Sequence, residues 1–264
     1  MRYLIPLGCV LLVLVPCGAK VHGLSVIEQT DSAVTIGSEA FSVQVQNSGR
    51  IEAVKAGDTE YVSFIALYTQ PSAFRSDDNV RAVQGEGEGR NLGPVEAPIS
   101  VEKRGERYLL HLHRTAAREE IRNGQPLYTL DETIEISPQG VLNISYHFHF
   151  LRICAIGGPT VYVALNSQTF DGQSYTAIHR NYGVHGTFSA AEGVREYPGI
   201  EGDMRSLWAD FPSGQLALWT SGAERISSVR WGDRYMSVGM RVGRGLWYPG
   251  TEKTLHFTLK IPLP

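Results

Sequence analysis

Apolar and polar residues alternate along several stretches of this chain, and this pattern limits the possible folds more than any other feature. The alternation runs without a break through residues 41–46 and continues through 108–114, 133–137 and 141–150. Side chains of a β-strand point alternately to opposite faces, so this period predicts strands with one wet face and one dry face. No long stretch has the apolar period of a helix, and 28 glycines and 13 prolines disfavour long helices.

Clusters of turn-forming residues separate these runs at hairpin spacing, for example at residues 47–49 and 138–140. We therefore predict an all-β fold of about fifteen antiparallel strands in two large packed sheets. Residues 24–264 are numerous enough to form a continuous core as a single domain. The segments 72–93 and 181–203 are rich in glycine and lack the alternation, which predicts two long loops.

The first part of the chain, residues 1–23, has the layout of a secretory signal peptide. A positive start precedes an apolar run at residues 4–16, which is too short to span a bilayer. Small residues follow, so we expect cleavage before Leu24 or, nearly as well, after Ala19. Lipoprotein processing at Cys17 is an alternative that the preceding proline disfavours. The predicted location is therefore secreted, either extracellular or periplasmic.

Composition and motifs argue against several classes of partner. The net charge is −3 with a pI near 6.2 and no basic block, so nucleic acid is not an expected partner. No second apolar stretch is long enough for a transmembrane segment. The sequence contains no phosphate-binding loop, serine-hydrolase elbow or zinc-protease motif, and no cofactor is expected.

Three stretches resemble galactose mutarotase-like proteins, in the order that those proteins have them. Residues 41–61 resemble their opening, in which a strand and a Gly-x-Ile turn lead into a second strand. Residues 127–146 resemble their central hairpin, and residues 247–259 resemble their closing Pro-Gly turn and last strand. The resemblance implies an antiparallel two-sheet β-supersandwich and a role connected with carbohydrate. That superfamily includes aldose epimerases and domains of glycoside hydrolases and polysaccharide lyases.

The catalytic motifs of the sugar epimerases in that superfamily are not matched. Those enzymes carry a general-acid histidine in an Asn-His-x-Tyr-Phe-type motif and a general-base glutamate on a late strand. The nearest strings that contain histidine, at residues 146–150 and 181–186, do not fit the motif. An activity therefore does not follow from the resemblance and has to be argued from a site.

Two histidines on a predicted strand indicate where a ligand would bind. His147 and His149 share one face of the strand, and Phe148 and Phe150 share the other. The phenylalanines are expected in the inner layer, because burying an unpaired imidazole costs about 1–3 kcal/mol or more. The histidines are then expected on the outer face, which the resemblance implies is concave. With the similar pair at residues 111–113 they could bind zinc or copper, but a cross-strand polar ladder is the preferred interpretation, and no metal is expected.

Aromatic and polar residues in the second half of the chain complete the candidate site. Sugars bind to aromatic platforms and to directed hydrogen bonds at their rims. A tryptophan in a β-sandwich is more often a core residue than a sugar platform, and both interpretations stay open here. The loop at residues 181–203 could arch over the same face. The predicted ligand-binding residues are His147, His149, His179, Arg180, His185, Trp208 and Asp210.

Three functions follow from these expectations. The first is a secreted domain that binds or processes a mono- or polysaccharide. The second is an enzyme with epimerase-like or polysaccharide lyase-like activity, and the third is a non-catalytic structural module of the cell envelope. A face that clusters histidine, arginine, tyrosine and acidic groups favours the first two, whereas a flat or apolar face favours the third.

Overall fold

The computed structural model describes residues 23–68, 71–74, 80–81, 98–116, 128–151, 153–156, 160–189, 204–220, 225–231, 235–241 and 245–264. These residues form 21 strands and one single-turn helix, which confirms the prediction of an all-β fold. The elements are β1 (Ser25–Gln29), β2 (Ala33–Gly37), β3 (Phe41–Gln46), β4 (Ile51–Ala56), β5 (Thr59–Tyr68), β6 (Pro71–Phe74), β7 (Val80–Arg81), β8 (Ser100–Arg104), β9 (Arg107–Ala116), β10 (Tyr128–Ile136), β11 (Val141–Phe150), β12 (Cys154–Ile156), β13 (Thr160–Asn166), α1 (Ser167–Phe170), β14 (Ser174–Ile178), β15 (Gly183–Thr187), β16 (Ser206–Phe211), β17 (Gly214–Thr220), β18 (Arg225–Trp231), β19 (Tyr235–Arg241), β20 (Gly245–Trp247) and β21 (Glu252–Lys260).

Two large antiparallel sheets contain most of these strands, as predicted. One has eight strands in the order β1-β2-β3-β4-β5-β13-β19-β18, and the other has nine in the order β15-β14-β16-β17-β21-β11-β10-β9-β8. A third sheet has four short strands in the order β20-β12-β6-β7. The expectation of about fifteen strands was too low. Short strands form in the two segments that were expected to be loops: β6 overlaps the start of the first segment, β7 lies inside it, and β15 lies inside the second.

The N-terminal prediction falls mostly outside the described residues, which begin at residue 23. The proposed signal peptide and the alternative processing at Cys17 therefore remain expectations from sequence. Among the residues that the structure describes, no helix is long and apolar enough to cross a membrane.

The central hairpin of the nine-stranded sheet, β10 and β11, shows why the sequence alternates. Every second side chain of β11 is buried, and the others are partly exposed. Phe148 and Phe150 point inward and pack against Tyr128, with ring centroids 5.5 and 5.9 Å apart. His147 and His149 lie on the opposite, outer face, so the predicted assignment of faces is confirmed. The buried apolar residues of both large sheets form one core cluster.

A polar group is buried in the dry layer directly under this outer face. Glu132 pairs with Tyr146 across β10 and β11, and Arg114 Nη2 lies 3.2 Å from Glu132 Oε2. All three side chains are almost completely buried. Burial raises the pKa of Glu132 to about 7, while the attraction of Arg114 opposes that shift. Gly49, in the turn between β3 and β4, packs its backbone against this ion pair.

Candidate functional site

Five histidines on three strands share the outer face of the nine-stranded sheet. We call this group the histidine face. All five are partly or fully exposed, and cross-strand register places them on the same side of the sheet. The group consists of His111 and His113 on β9, His147 and His149 on β11, and His256 on β21. Of these five, only the two members on β11 are among the site residues predicted from the sequence.

One carboxylate and one hydroxyl from the neighbouring strand β21 orient two of these imidazoles. Glu252 Oε1 lies 3.5 Å from His149 Nδ1, and Glu252 Oε2 lies 3.7 Å from His147 Nε2. The other ring nitrogen of His147 lies 2.9 Å from Thr254 Oγ1. One carboxylate is therefore shared between two half-exposed imidazoles. Acceptors and donors at such spacing are what a sugar hydroxyl rim requires.

A second pair on the same face is formed by His113 and Asp131. His113 Nδ1 lies 2.5 Å from Asp131 Oδ1, and Asp131 lies directly opposite His147 in the register of β10 and β11. Rows of polar side chains thus cross three strands, as the predicted polar ladder requires. Among the described residues, no group of three or more histidine, cysteine, aspartate or glutamate side chains has the arrangement of a metal site.

Two tryptophans lie on the same outer face, on strands β16 and β17. The rings of Trp208 and Trp219 are stacked with an interplanar angle of 14° and centroids 6.4 Å apart. Both are half-buried, while their strand neighbours Leu207 and Leu218 fill the core. Trp208 Nε1 donates a hydrogen bond of 2.8 Å to Ser206 Oγ. We call these two residues the tryptophan shelf. Their position favours the platform interpretation over the core interpretation for both rings.

His185 and Asp210 lie beside the tryptophan shelf. Thr176 on β14 pairs with Trp208 on one side and with His185 on the other, so all three face the same way. Nδ1 of His185 lies 2.9 Å from Thr176 Oγ1. Asp210 follows Trp208 by two residues on β16, and its Oδ1 accepts a 2.8 Å hydrogen bond from Gln215. Three of the predicted residues are therefore brought together here.

The remaining two predicted residues lie in the tight turn between β14 and β15. His179 is only 6% exposed and its ring stacks on Tyr182, with centroids 4.3 Å apart. This contact stabilises the turn, and the buried imidazole ring does not lie on the exposed outer face. Arg180 is exposed at the tip of the turn. The expected loop over the face is in part a hairpin strand, and residues 190–203 lie outside the described residues.

Strand β21 supplies the site residues that sequence analysis missed. Glu252, Thr254 and His256 lie at alternate positions and face outward, whereas Leu255 and Phe257 are buried. The alternation of the closing strand could have assigned these residues to a wet face. It could not have shown that this face continues that of β11, because the pairing of β11 with β21 joins residues about a hundred positions apart.

Several solved structures share the architecture of this chain. A galactose mutarotase-related enzyme from Lactobacillus acidophilus superimposes with a TM-score of 0.55 at 12% identity, covering 86% of this chain and 96% of that one. A galactose 1-epimerase from the same species gives 0.54 at 7%, covering 90% and 97%. The chain has a galactose mutarotase-like fold. No protein-family model matches the sequence, and no curated protein matches it.

The galactose mutarotase-like fold does not by itself determine the chemistry of this chain. A copper-containing benzylamine oxidase from Hansenula polymorpha also superimposes, with a TM-score of 0.52 at 8% identity, covering 98% of this chain and 63% of that one. Similarity at such low identity concerns the arrangement of strands alone. The function therefore has to come from the side chains on the outer face.

The short helix α1 bears on whether the epimerase mechanism is present. Asn166 and Phe170 match the first and last positions of the Asn-His-x-Tyr-Phe motif, but Ser167 and Thr169 stand at the histidine and tyrosine positions. Asn166 caps the helix through its side chain, and Ser167 and Phe170 are buried. A serine hydroxyl does not titrate near neutral pH, so this segment supplies no general acid of that kind.

Proposed function

We propose that this chain is a secreted, single-domain carbohydrate-binding protein, and that residues 24–264 hold its ligand on the outer face of the nine-stranded sheet. The proposed contacts come from the histidine face and the tryptophan shelf, with His185, Asp210 and Arg180 at the edge. The fold is one that sugar-converting enzymes also use, and this supports carbohydrate as the ligand class. The location outside the cytoplasm rests on the sequence of the N-terminal segment.

The observation that carries this proposal is the stacked pair of tryptophans on a polar face. Trp208 and Trp219 are held apart from the core by the register of β16 and β17, with Ala217 as a small buried residue paired with Trp208. Sugars present flat C–H faces, which pack on aromatic rings, and hydroxyl rims, which take hydrogen bonds. Aromatic rings and hydrogen-bonding groups, which suit these two kinds of contact, lie on the same side of one sheet. This polar face supports ligand binding over a purely structural role in the envelope.

A second candidate function is acid–base catalysis on the bound sugar. The position of Glu252 within 3.5 Å of one imidazole and 3.7 Å of another favours it, because a carboxylate and a histidine are the usual pair for moving protons near neutral pH. If Glu252 acts on the substrate, Glu252→Gln abolishes turnover of a bound sugar and retains most of its affinity. Equal turnover by the wild type and by Glu252→Gln would reject a catalytic role for Glu252.

A glycan array tests the binding proposal. The wild-type protein, His147→Ala/His149→Ala and the control Glu28→Gln, on exposed strand β1 of the other sheet, are applied to the same array. We expect the wild type and the control to bind the same glycans. The double variant should bind them at least about tenfold more weakly, since each lost hydrogen bond is worth about 1 kcal/mol. Absence of any glycan binding by the wild type would refute the proposal.

A further inference from the structure

Strand β21 connects the tryptophan shelf to the histidine face through one row of outward-facing positions. At one end Thr258 pairs with Trp219, and at the other Glu252 pairs with His149. Between these ends lie His256 and Thr254, also on the outer face. The two groups of the candidate site are thus the ends of one continuous row and not separate patches.

The length of this row exceeds what one sugar ring can cover. Thr258 lies six positions after Glu252, and a strand rises about 3.3 Å per residue, so the row is about 20 Å long. A monosaccharide placed on the tryptophan shelf leaves the histidines near Glu252 without contact. A chain of several sugars along β21 reaches both ends.

The chemistry along the row suits a chain without charge. Partly exposed amide, hydroxyl and imidazole groups of Asn143, Ser145 and His256 lie between the two ends. Thr258 is buried, and its hydroxyl donates a 2.8 Å hydrogen bond to Asn143 Oδ1, which fixes that amide. Within residues 252–258 of β21, Glu252 is the one charged side chain on the outer face, because Lys253 points to the opposite face. The negative charge of Glu252 disfavours a uronate or sulfated ligand.

We infer that the ligand is a neutral oligosaccharide bound along β21, with one sugar stacked on the tryptophan shelf and another hydrogen-bonded at His149 and Glu252. This inference rests on the proposed carbohydrate-binding function and adds the length and charge of the ligand. It also predicts the stoichiometry: because one oligosaccharide occupies both ends of the row, one ligand binds per protein.

Titration calorimetry with ligands of defined length tests the inference. The probes are β-1,4-linked oligomers of glucose, mannose, galactose and N-acetylglucosamine and α-1,4-linked oligomers of galacturonate, each from monosaccharide to octasaccharide. For at least one neutral series we expect the affinity to rise at least about tenfold between the monosaccharide and the hexasaccharide, and one hexasaccharide to bind per protein. The galacturonate series is expected to bind more weakly than that neutral series.

Variants at the two ends of the row show whether one oligosaccharide contacts both the tryptophan shelf and the histidine face. Trp208→Ala and His149→Ala are each expected to lower hexasaccharide affinity about tenfold, which corresponds to about 1.4 kcal/mol. Trp208→Phe retains an aromatic surface and should recover part of the loss. Glu28→Gln should bind like the wild type, and thermal unfolding of each variant verifies the fold.

Several results would overturn the inference in distinguishable ways. A monosaccharide that binds as tightly as its hexasaccharide leaves the proposed function standing and rejects the long ligand. Two hexasaccharides per protein indicate two independent sites, and preferred binding of galacturonate oligomers rejects the neutral class. If no oligomer of any series binds, the proposed function fails together with the inference.

Discussion

Glu132 and Tyr146 lie directly opposite each other across the central hairpin, in the dry layer beneath the histidine face. Arg114 completes this buried group through its ion pair with Glu132. Burial raises the pKa of the Glu132 carboxyl to about 7, and burial together with the charge of Glu132 raises that of Tyr146 well above its ordinary value. The carboxyl therefore titrates close to neutral pH in the folded protein.

The first prediction concerns stability as a function of pH. Unfolded glutamate has a pKa of about 4.3, so between that value and about 7 the folded protein binds the additional proton. The contribution of Glu132 to stability is complete below about pH 4.3 and is lost as the pH rises through 7. As the pH rises from about 4.3 to about 7, the free energy of unfolding should therefore fall by an amount on the order of 3 kcal/mol. Urea denaturation at a series of pH values measures it.

A matched pair of variants isolates this contribution. Glu132→Gln retains the shape of the side chain and removes its titration, so most of the fall between pH 5 and pH 8 should disappear. Glu28→Gln, on an exposed strand, should retain the wild-type dependence. The same fall in all three proteins would mean that Glu132 is not its source.

The second prediction concerns the glycine that packs against the buried ion pair. Gly49 has φ of 74°, and an added Cβ would overlap the side chains of Arg114 and Glu132. Gly57, in the next turn, has φ of 55° and open space around it. We expect Gly57→Ala to cost about 1–2 kcal/mol through backbone strain alone. Gly49→Ala should cost at least about 2 kcal/mol more, because it also disrupts a buried pair.

Chemical denaturation of both alanine variants tests this difference. If the two substitutions reduce the free energy of unfolding equally, Gly49 does not pack against the Arg114–Glu132 ion pair as closely as the structure indicates. The buried group would then have no role in fixing how the β3–β4 turn sits against the nine-stranded sheet.

The third prediction concerns the N-terminus. The short apolar run followed by small residues predicts removal of the first part of the chain on secretion. Expression in a secreting host should yield a mature protein that begins at Lys20 or Leu24, as measured by intact-mass spectrometry. Retention of residues 1–19, or a mass that corresponds to a lipid on Cys17, would contradict it.

Local periodicity accounts for the features that sequence analysis predicted. The alternation of β11 separates His147 from Phe148 whatever the neighbouring strands are, because side-chain direction depends only on parity. The same rule separates Trp208 from Leu207, yet parity does not say which of the two faces is wet. That assignment needs the pairing of β16 with β17, and the pairing is a property of the whole sheet.

Longer-range relationships account for what could not be predicted. Glu252 reaches His149 only because the closing strand inserts between β17 and β11, and nothing local in either segment specifies that order. His179 is among the predicted site residues because its segment combines cationic, aromatic and acidic side chains, a composition typical of a binding rim. The tight turn after Ile178 instead stacks its ring on Tyr182. Its burial continues the alternation of β14, in which Tyr175 and Ala177 are buried, so the polar composition of the segment did not determine the direction of this side chain.

The fourth prediction tests the central claim, that a glycan covers the outer face of the nine-stranded sheet. Diethyl pyrocarbonate acylates accessible imidazoles, and mass spectrometry reports the extent of labelling at each histidine. The protein is labelled alone, with the glycan that binds most tightly and with a sugar that does not bind. His179, which is buried, serves as the internal control for intact structure.

We predict that the bound glycan lowers the labelling of His147, His149 and His256, that the non-binding sugar has no effect, and that His179 stays unlabelled throughout. A saturating glycan that leaves the labelling of these three outer-face histidines unchanged would show that carbohydrate binds elsewhere on the molecule, which would contradict the account.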